Sequence, residues 1–237
     1  FLHLAGSKKF IDTFLVVIQF GSILAVLILY FNKLNPFSPR KSPKAKKATW
    51  DLWIKVLIAV LPSGIIGVLF EDQIDRIFFR PSVVAAALII YGVIMIWIEN
   101  RHRRPGITKF SQVSYKTALL IGLFQCLALV PGTSRSGSTI IGATLLGTSR
   151  YIAAEFSFFL AIPTMLGASL LKLLKAGFAF TGFEWFIMLL GSLVAFIVSV
   201  IVIKFFMSYI KKHDFKAFGV YRIVLGIIVF IYFAIAG

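Results

Sequence analysis

The sequence predicts an all-α polytopic membrane protein with six transmembrane helices, a re-entrant helical hairpin and an inverted-topology repeat. Of its 237 residues, 59% are hydrophobic, and the mean hydropathy is +0.93. A soluble domain of this size is about 45–50% apolar. Six apolar runs, each with at most one charged residue, have roughly the 20 residues that a helix needs to cross a bilayer. They are Phe10–Phe31, Leu52–Phe70, Ser82–Ile98, Ile152–Leu171, Trp185–Ile203 and Phe218–Ala236.

The net charge of +16 is concentrated in loops beside the apolar runs. Asn32–Asp51 contains six lysines and arginines against one acid, Asn100–Lys116 contains five and no acid, and Met207–Ala217 contains three against one. Because basic loops stay on the cytoplasmic side, we place these three loops there. This pattern explains the charge without nucleic-acid binding. A single cysteine, Cys126, excludes a disulfide within one chain.

An internal repeat relates two of the apolar runs. The segment VVIQFGSILAV (Val16–Val26) matches IAAEFSFFLAI (Ile152–Ile162) at an offset of 136 residues, which pairs Gln19 with Glu155. On the topology above the two segments cross the membrane in opposite directions, which is typical of proteins whose sites lie near the midplane. We therefore predict one integral membrane domain with halves at 1–100 and 115–237. Chance similarity between two apolar helices is the alternative.

The stretch LALVPGTSRSGSTIIG (Leu127–Gly142) interrupts the apolar pattern. Before it, Thr117–Val130 would form a helix of roughly 21 Å, too short for a hydrocarbon core of about 30 Å. Pro131 and Gly132 end that helix, and a second short helix is expected to start near Thr139. Two half-length helices around a polar break predict a re-entrant hairpin at 117–149, tolerated only where protein or a wet cavity satisfies the backbone.

The polar break has the chemistry of an anion site. Glycines let consecutive N–H groups converge, a helix N-terminus adds positive potential, and the guanidinium fork of Arg135 suits phosphate. The alternative is a hinge whose serines satisfy their own backbone. A central arginine costs at least about 2.5 kcal/mol to insert, which favours a functional site. The candidate catalytic residues are Arg135, Ser134 and Ser136, and the candidate phosphate-binding residues are Gly132, Thr133, Gly137, Ser138 and Thr139.

Three further polar residues within apolar segments are candidate supporting groups: Glu155, Gln19 and Gln125. Glu155 could instead be a counter-ion for Arg135 or Arg150. Gln125 could instead form an ordinary hydrogen bond between helices. The three histidines, His3, His102 and His213, have no metal-ligand spacing.

The chain resembles the undecaprenyl-diphosphate phosphatase family of the bacitracin-resistance type. The family signature P-G-x-S-R-S-G-x-T is matched by Pro131, Gly132, Ser134, Arg135, Ser136, Gly137 and Thr139. The segments VVIQFGSILAV, LPSGIIGVLFED (Leu61–Asp72) and YRIVLGI (Tyr221–Ile227) are also similar to this family. The resemblance implies an enzyme of the bacterial inner membrane that converts undecaprenyl diphosphate to undecaprenyl phosphate for peptidoglycan synthesis. It also implies a site open to the periplasmic or extracellular side.

One family motif, E-G-x-x-E-F-x-P-x-S-S-T-G-H, has no match in the chain. The offset of 136 places its hairpin before Phe1, so we expect the first repeat to lack it and the chain alone to be inactive. The resemblance implies that acidic residues of that motif act as the base or bind a divalent cation, expected to be Mg²⁺ or Ca²⁺. Because the motif has no match here, the metal ligands are unknown. A homodimer is a further expectation. The alternative function is a polyprenyl-phosphate flippase or anion transporter, which also uses inverted repeats and broken helices.

Overall fold

The computed structural model describes residues 8–101, 104–177 and 180–236, a part of the chain that consists of helices joined by short connections. His3 and His102, considered above, lie outside these residues. Within the described ranges the helices are α1 (Lys8–Val17), α2 (Gln19–Leu29), α3 (Phe31–Leu34), α4 (Pro43–Phe78), α5 (Pro81–Asn100), α6 (Tyr115–Cys126), α7 (Arg135–Leu145), α8 (Arg150–Ala176), α9 (Gly182–Lys212) and α10 (Lys216–Ala236).

Six helical segments in the described ranges are long and apolar enough to cross a membrane, as the sequence predicts. They are Phe10–Leu29, Pro43–Phe70, Pro81–Asn100, Arg150–Lys175, Gly182–Lys212 and Lys216–Ile235. The first combines α1 and α2, which are separated only at Ile18. The predicted class of polytopic helical membrane protein is confirmed.

Helix α4 is longer at both ends than its apolar run predicts. The hydroxyl of Ser42 accepts a hydrogen bond from the Ala45 N–H at 3.3 Å, and Pro43 is the first helical residue. A serine followed by proline is a favourable helix start, so α4 begins inside the basic segment that was expected to be a loop. At its other end α4 continues to Phe78, eight residues beyond the end of the predicted apolar run at Phe70.

The chain divides into two compact units. One consists of Phe1–Thr49 and Phe158–Phe206, and the other of Trp50–Ser157 and Met207–Gly237. Each unit takes segments from both predicted sequence halves, so the units do not coincide with those halves, and the repeat stays a prediction. Within the first unit, Ser199 of α9 donates a hydrogen bond to Ser22 of α2 at 2.8 Å.

The second unit contains the predicted hairpin. Helix α6 continues through a short 3₁₀ segment, Leu127–Leu129, and α7 follows after a turn of five residues. At 1.5 Å per residue the two α-helices are about 18 Å and 16 Å long, so neither crosses a core of about 30 Å. Helix α7 begins at Arg135, four residues earlier than expected, because Ser134 caps it by accepting a hydrogen bond from the Gly137 N–H.

Helix α6 lies against the backbone of α4 at Gly122. A Cβ atom at this position would be 2.2 Å from the carbonyl oxygen of Ala59 and 2.8 Å from its Cα. Real Cβ atoms do not approach backbone so closely, so only glycine allows this contact. The closeness of α6 to α4 fixes one side of the hairpin.

We expect Gly122→Ala to destabilise the protein by about 1–3 kcal/mol, the usual cost of overpacking. The matched control is Gly64→Ala in α4, where an added Cβ meets nothing within 4 Å and alanine favours the helix. Melting temperatures of the two purified variants in one detergent test this. Equal melting temperatures would show that α6 does not depend on this contact.

Candidate active site at the tip of the α6–α7 hairpin

The turn that joins α6 to α7 is tight and is placed against α5. The Thr133 N–H donates to the Val130 carbonyl at 3.1 Å, and Gly132 has a φ of +85°. A Cβ atom at residue 132 would lie 2.6 Å from both the Cα and the carbonyl oxygen of Val84 in α5. Glycine is therefore required here both for its left-handed conformation and for lack of space.

The N-terminus of α7 is formed by the predicted site residues themselves. Because Ser134 is the capping residue, Arg135 and Ser136 are the first two helical residues, and their N–H groups have no acceptor within the helix. The Gly137 N–H is already bonded to the Ser134 hydroxyl at 3.1 Å. Two N–H groups and the positive end of the helix dipole therefore remain for an anion.

Arg135 lies half-buried at this helix start. Its Nη1 donates to the carbonyl oxygen of Ser157 in α8 at 3.4 Å, which is a long hydrogen bond. An arginine side chain stays protonated in proteins, so Arg135 is positively charged at neutral pH. Its other N–H groups can bind the oxygens of a phosphate.

The hydroxyl groups around Arg135 fall into two sets. Ser138 and Thr139 are completely buried, and their hydroxyls donate to carbonyls of Ser134 at 3.1 Å and of Ser136 at 3.0 Å respectively. Thr139 also bonds the Ser157 hydroxyl at 2.8 Å. These two hydroxyls bond to the first turn of α7 and to α8. They therefore behave as the alternative interpretation expected, in which the hydroxyls of a hinge satisfy nearby backbone groups.

Ser134 and Ser136, by contrast, are half-buried at the helix start, as is Thr133 in the turn. The Ser134 hydroxyl accepts from Gly137 and retains its proton for donation. No hydrogen bond of the Ser136 or Thr133 hydroxyl is found within the described residues. These three hydroxyls are the ones placed to contact a bound group.

A second arginine reaches the same turn, and sequence reasoning did not assign it. Nη2 of Arg222 in α10 donates to the Gly132 carbonyl at 2.9 Å, and its Cζ lies 5.9 Å from the centre of the Tyr91 ring. The buried Nε of Arg222 has no acceptor within the described residues. The signal was available, because an arginine inside an apolar span is a candidate functional residue.

Of the three predicted supporting groups, Gln125 and Glu155 belong to the second unit and Gln19 belongs to the first. Gln125 is buried and its Nε2 donates to the Ser63 hydroxyl of α4. This is a hydrogen bond between helices, which is the alternative role that the sequence indicated for Gln125. Glu155 is buried in α8 two residues before Ser157. Gln19 belongs to the other compact unit, where its side chain donates to the Leu15 carbonyl of the preceding turn at 3.3 Å.

The described residues contain no group of three or more His, Cys, Asp or Glu side chains able to hold a metal ion. The imidazole of His213 stacks on the ring of Tyr209, with centroids 4.4 Å apart. Glu155 alone does not make a site for a divalent cation, which takes several oxygen ligands. The donor set in this part of the chain therefore fits an anion and not a cation.

We expect Arg222→Met to loosen the turn, because the Gly132 carbonyl loses a charge-assisted hydrogen bond worth about 1.5–3 kcal/mol. Hydrogen exchange of a peptide that covers 130–136 should accelerate at least about tenfold, since local opening controls exchange. Arg76→Met, at an exposed position of α4, is the control. Unchanged exchange in Arg222→Met would show that this bond does not hold the turn.

Comparison with known proteins identifies the family of the chain. The family model described as Bacitracin resistance protein BacA matches residues 1–228. Undecaprenyl-diphosphatase 1 of Clostridioides difficile is 72% identical over 233 residues, which cover 98% of this chain and 85% of the relative. Undecaprenyl-diphosphatases of Acetivibrio thermocellus (57% over 235 residues, 98% and 86% covered) and Enterococcus faecalis (56% over 239 residues, 99% and 87% covered) are also similar. The chain belongs to the BacA family of bacitracin resistance proteins.

Proposed function

We propose that the tip of the α6–α7 hairpin holds the diphosphate of a membrane lipid during its hydrolysis. The chain is an undecaprenyl-diphosphate phosphatase, an enzyme that releases inorganic phosphate from undecaprenyl diphosphate and leaves undecaprenyl phosphate. Relatives covered over 85% or more of their length carry this activity in their names. The observation that carries the assignment of the site is the pairing of Arg135 with the open N-terminus of α7.

The reaction needs groups that hold negative charge. Water adds to the terminal phosphorus while the bond from that phosphorus to the bridging oxygen breaks. The bridging oxygen leaves with the lipid, and the water proton goes to solvent. During transfer the charge is spread over three equatorial oxygens, so donors fixed in advance around them lower the barrier.

The residues at the tip provide such donors. The Arg135 fork would bind two phosphate oxygens, and the N–H groups of Arg135 and Ser136 would bind a third. The hydroxyls of Ser134, Ser136 and Thr133 would orient the group. Ser138, Thr139 and Arg222 would act on the turn and on α7 instead of on the substrate, because the contacts above commit them to backbone carbonyls. The rigidity they give keeps the donors in place without reorganisation.

The setting of the enzyme is a multi-pass membrane protein. Its place in the bacterial inner membrane, an opening to the periplasmic or extracellular side and a homodimer remain parts of the proposal. The basic loops support the orientation through the positive-inside rule. Removal of the terminal phosphate regenerates the monophosphate carrier lipid for peptidoglycan synthesis.

We expect Arg135→Ala to lower phosphate release from undecaprenyl diphosphate at least about 100-fold, the effect of removing one fixed donor to a transition state. Arg135→Lys should be intermediate, because it keeps the charge and loses the fork. The measurement is phosphate release by the full-length protein purified in detergent, with Arg76→Ala as the control. Release by Arg135→Ala within about threefold of the parent would overturn this assignment. In proteoliposomes, headgroup transfer without phosphate release would instead indicate a transporter.

A divalent cation, Mg²⁺ or Ca²⁺, is a separate part of the proposal, and its ligands are expected outside the described residues. When bound, such an ion neutralises phosphate charge. Chelation of divalent cations with EDTA should stop phosphate release, and added Mg²⁺ or Ca²⁺ should restore it. Full activity after chelation would show that the donors at the tip suffice alone.

A further inference from the structure

A cavity of about 790 Å³ lies in the second unit at the end of α7 that is remote from Arg135. It is lined by the C-terminal ends of α5 and α9, by the segment after α5, and by the turn between α7 and α8. The Cα atoms of Arg135 and Leu145, at the two ends of α7, are about 15 Å apart along the helix, so this cavity is separate from the hairpin tip. Its volume is typical of ligand sites.

The lining of the cavity is strongly basic. It contains one carboxylate, Glu99, and four cationic side chains, which are Arg101, Arg104, Arg150 and Lys211. The buried carboxylate is already saturated, since it accepts bonds from Arg150 Nε at 2.9 and 3.0 Å and from the Phe215 N–H at 3.1 Å. Three positive charges are therefore left over, on exposed side chains whose flexible ends can reach a ligand.

Two threonines with buried hydroxyls are among the residues that line the same cavity. Thr148 lines the cavity with only 3% of its surface exposed, and its hydroxyl has no partner within the described residues. The same holds for the buried hydroxyl of Thr144. An unpaired buried hydroxyl is costly, so a ligand that supplies acceptors would satisfy both groups.

Helix α8 begins at this cavity and adds positive potential. Ser149 caps it by accepting from the Ile152 N–H at 3.3 Å. Arg150 and Tyr151, the first two helical residues, both line the cavity, and their N–H groups have no acceptor within the helix. A helix start with free N–H groups favours anions.

We propose that this cavity binds a phosphate group, carried by an anionic membrane lipid or free as inorganic phosphate, at a site distinct from the hairpin tip. Cations, unpaired hydroxyls and a helix N-terminus together match the charge and acceptors of phosphate. The cavity is also lined by the apolar side chains of Ile98, Leu145 and Ile210, which could contact the hydrocarbon chain of a lipid. Basic pockets between membrane helices are a recognised setting for lipid headgroups.

The test measures binding to the intact purified protein in a non-ionic detergent by titration calorimetry. The probes are dioctanoyl phosphatidic acid, inorganic phosphate and, as a neutral lipid, dioctanoylglycerol. Each titration is repeated with Arg135→Ala, which removes phosphate binding at the hairpin tip. The cavity variant is Arg101→Gln/Lys211→Gln, and the control of equal charge change is Arg40→Gln/Lys47→Gln, at exposed positions outside the cavity.

In the Arg135→Ala background, phosphatidic acid should bind the cavity variant about 30-fold more weakly than it binds the protein with an intact cavity. The variant removes two cations, each worth about 1 kcal/mol of lipid binding, and roughly 1.4 kcal/mol corresponds to a tenfold change in affinity. The control should change less than about threefold. Thr148→Val should weaken binding about fivefold through loss of one hydrogen bond. Retained phosphate release by the cavity variant in the wild-type background would show that it is folded.

The probes separate the two sources of phosphate. Binding of phosphatidic acid without binding of inorganic phosphate identifies the lipid headgroup as the ligand. Competition between the two probes, with equal losses in the cavity variant, identifies the phosphate group itself. Equal affinity of the cavity and control variants for both probes, or equal binding of dioctanoylglycerol, overturns the proposal whether or not the hairpin tip is catalytic.

Discussion

The structure around the candidate site depends on one constraint, which is that backbone polar groups at membrane depth must be bonded within the protein. Two half-length helices leave a turn between them whose carbonyls and N–H groups cannot rely on water. Arg222 satisfies the Gly132 carbonyl, and Thr139 joins the first turn of α7 to Ser157 of α8. These bonds hold a broken hairpin in place and leave the N-terminus of α7 open.

The function follows from which groups remain unbonded. The hydroxyls of Ser138 and Thr139 and one donor of Arg222 are used to bond the protein to itself. The N–H groups of Arg135 and Ser136 and most of the Arg135 fork are not. An anion with several oxygens can accept all of them together, and in the proposed function a diphosphate would do so at little cost in reorganisation.

Helix α7 has a different environment at each end. Its N-terminus carries Arg135, and the turn after its C-terminus begins a basic cavity with the unpaired hydroxyls of Thr144 and Thr148. A short helix that ends inside a membrane protein has unbonded N–H groups at one end and unbonded carbonyls at the other, both within the protein. A helix that spans the membrane has these groups at the membrane surface instead. One hairpin can therefore provide two sites for phosphate.

The sequence by itself determined the six spans, the half-length hairpin and the family, and it predicted the anion site at Gly132–Gly137. Hydropathy, segment length and a continuous motif are properties of neighbouring residues, so they can be identified without a fold. The start of α7 was predicted four residues late, because Gly137 was assigned to the break although Ser134 caps it into the helix. Only the tertiary structure revealed the bond between Arg222 and Gly132, 90 residues apart, and the cavity shared by α5, α8 and α9. Such contacts join distant segments, and their partners depend on how helices pack, which no local pattern specifies.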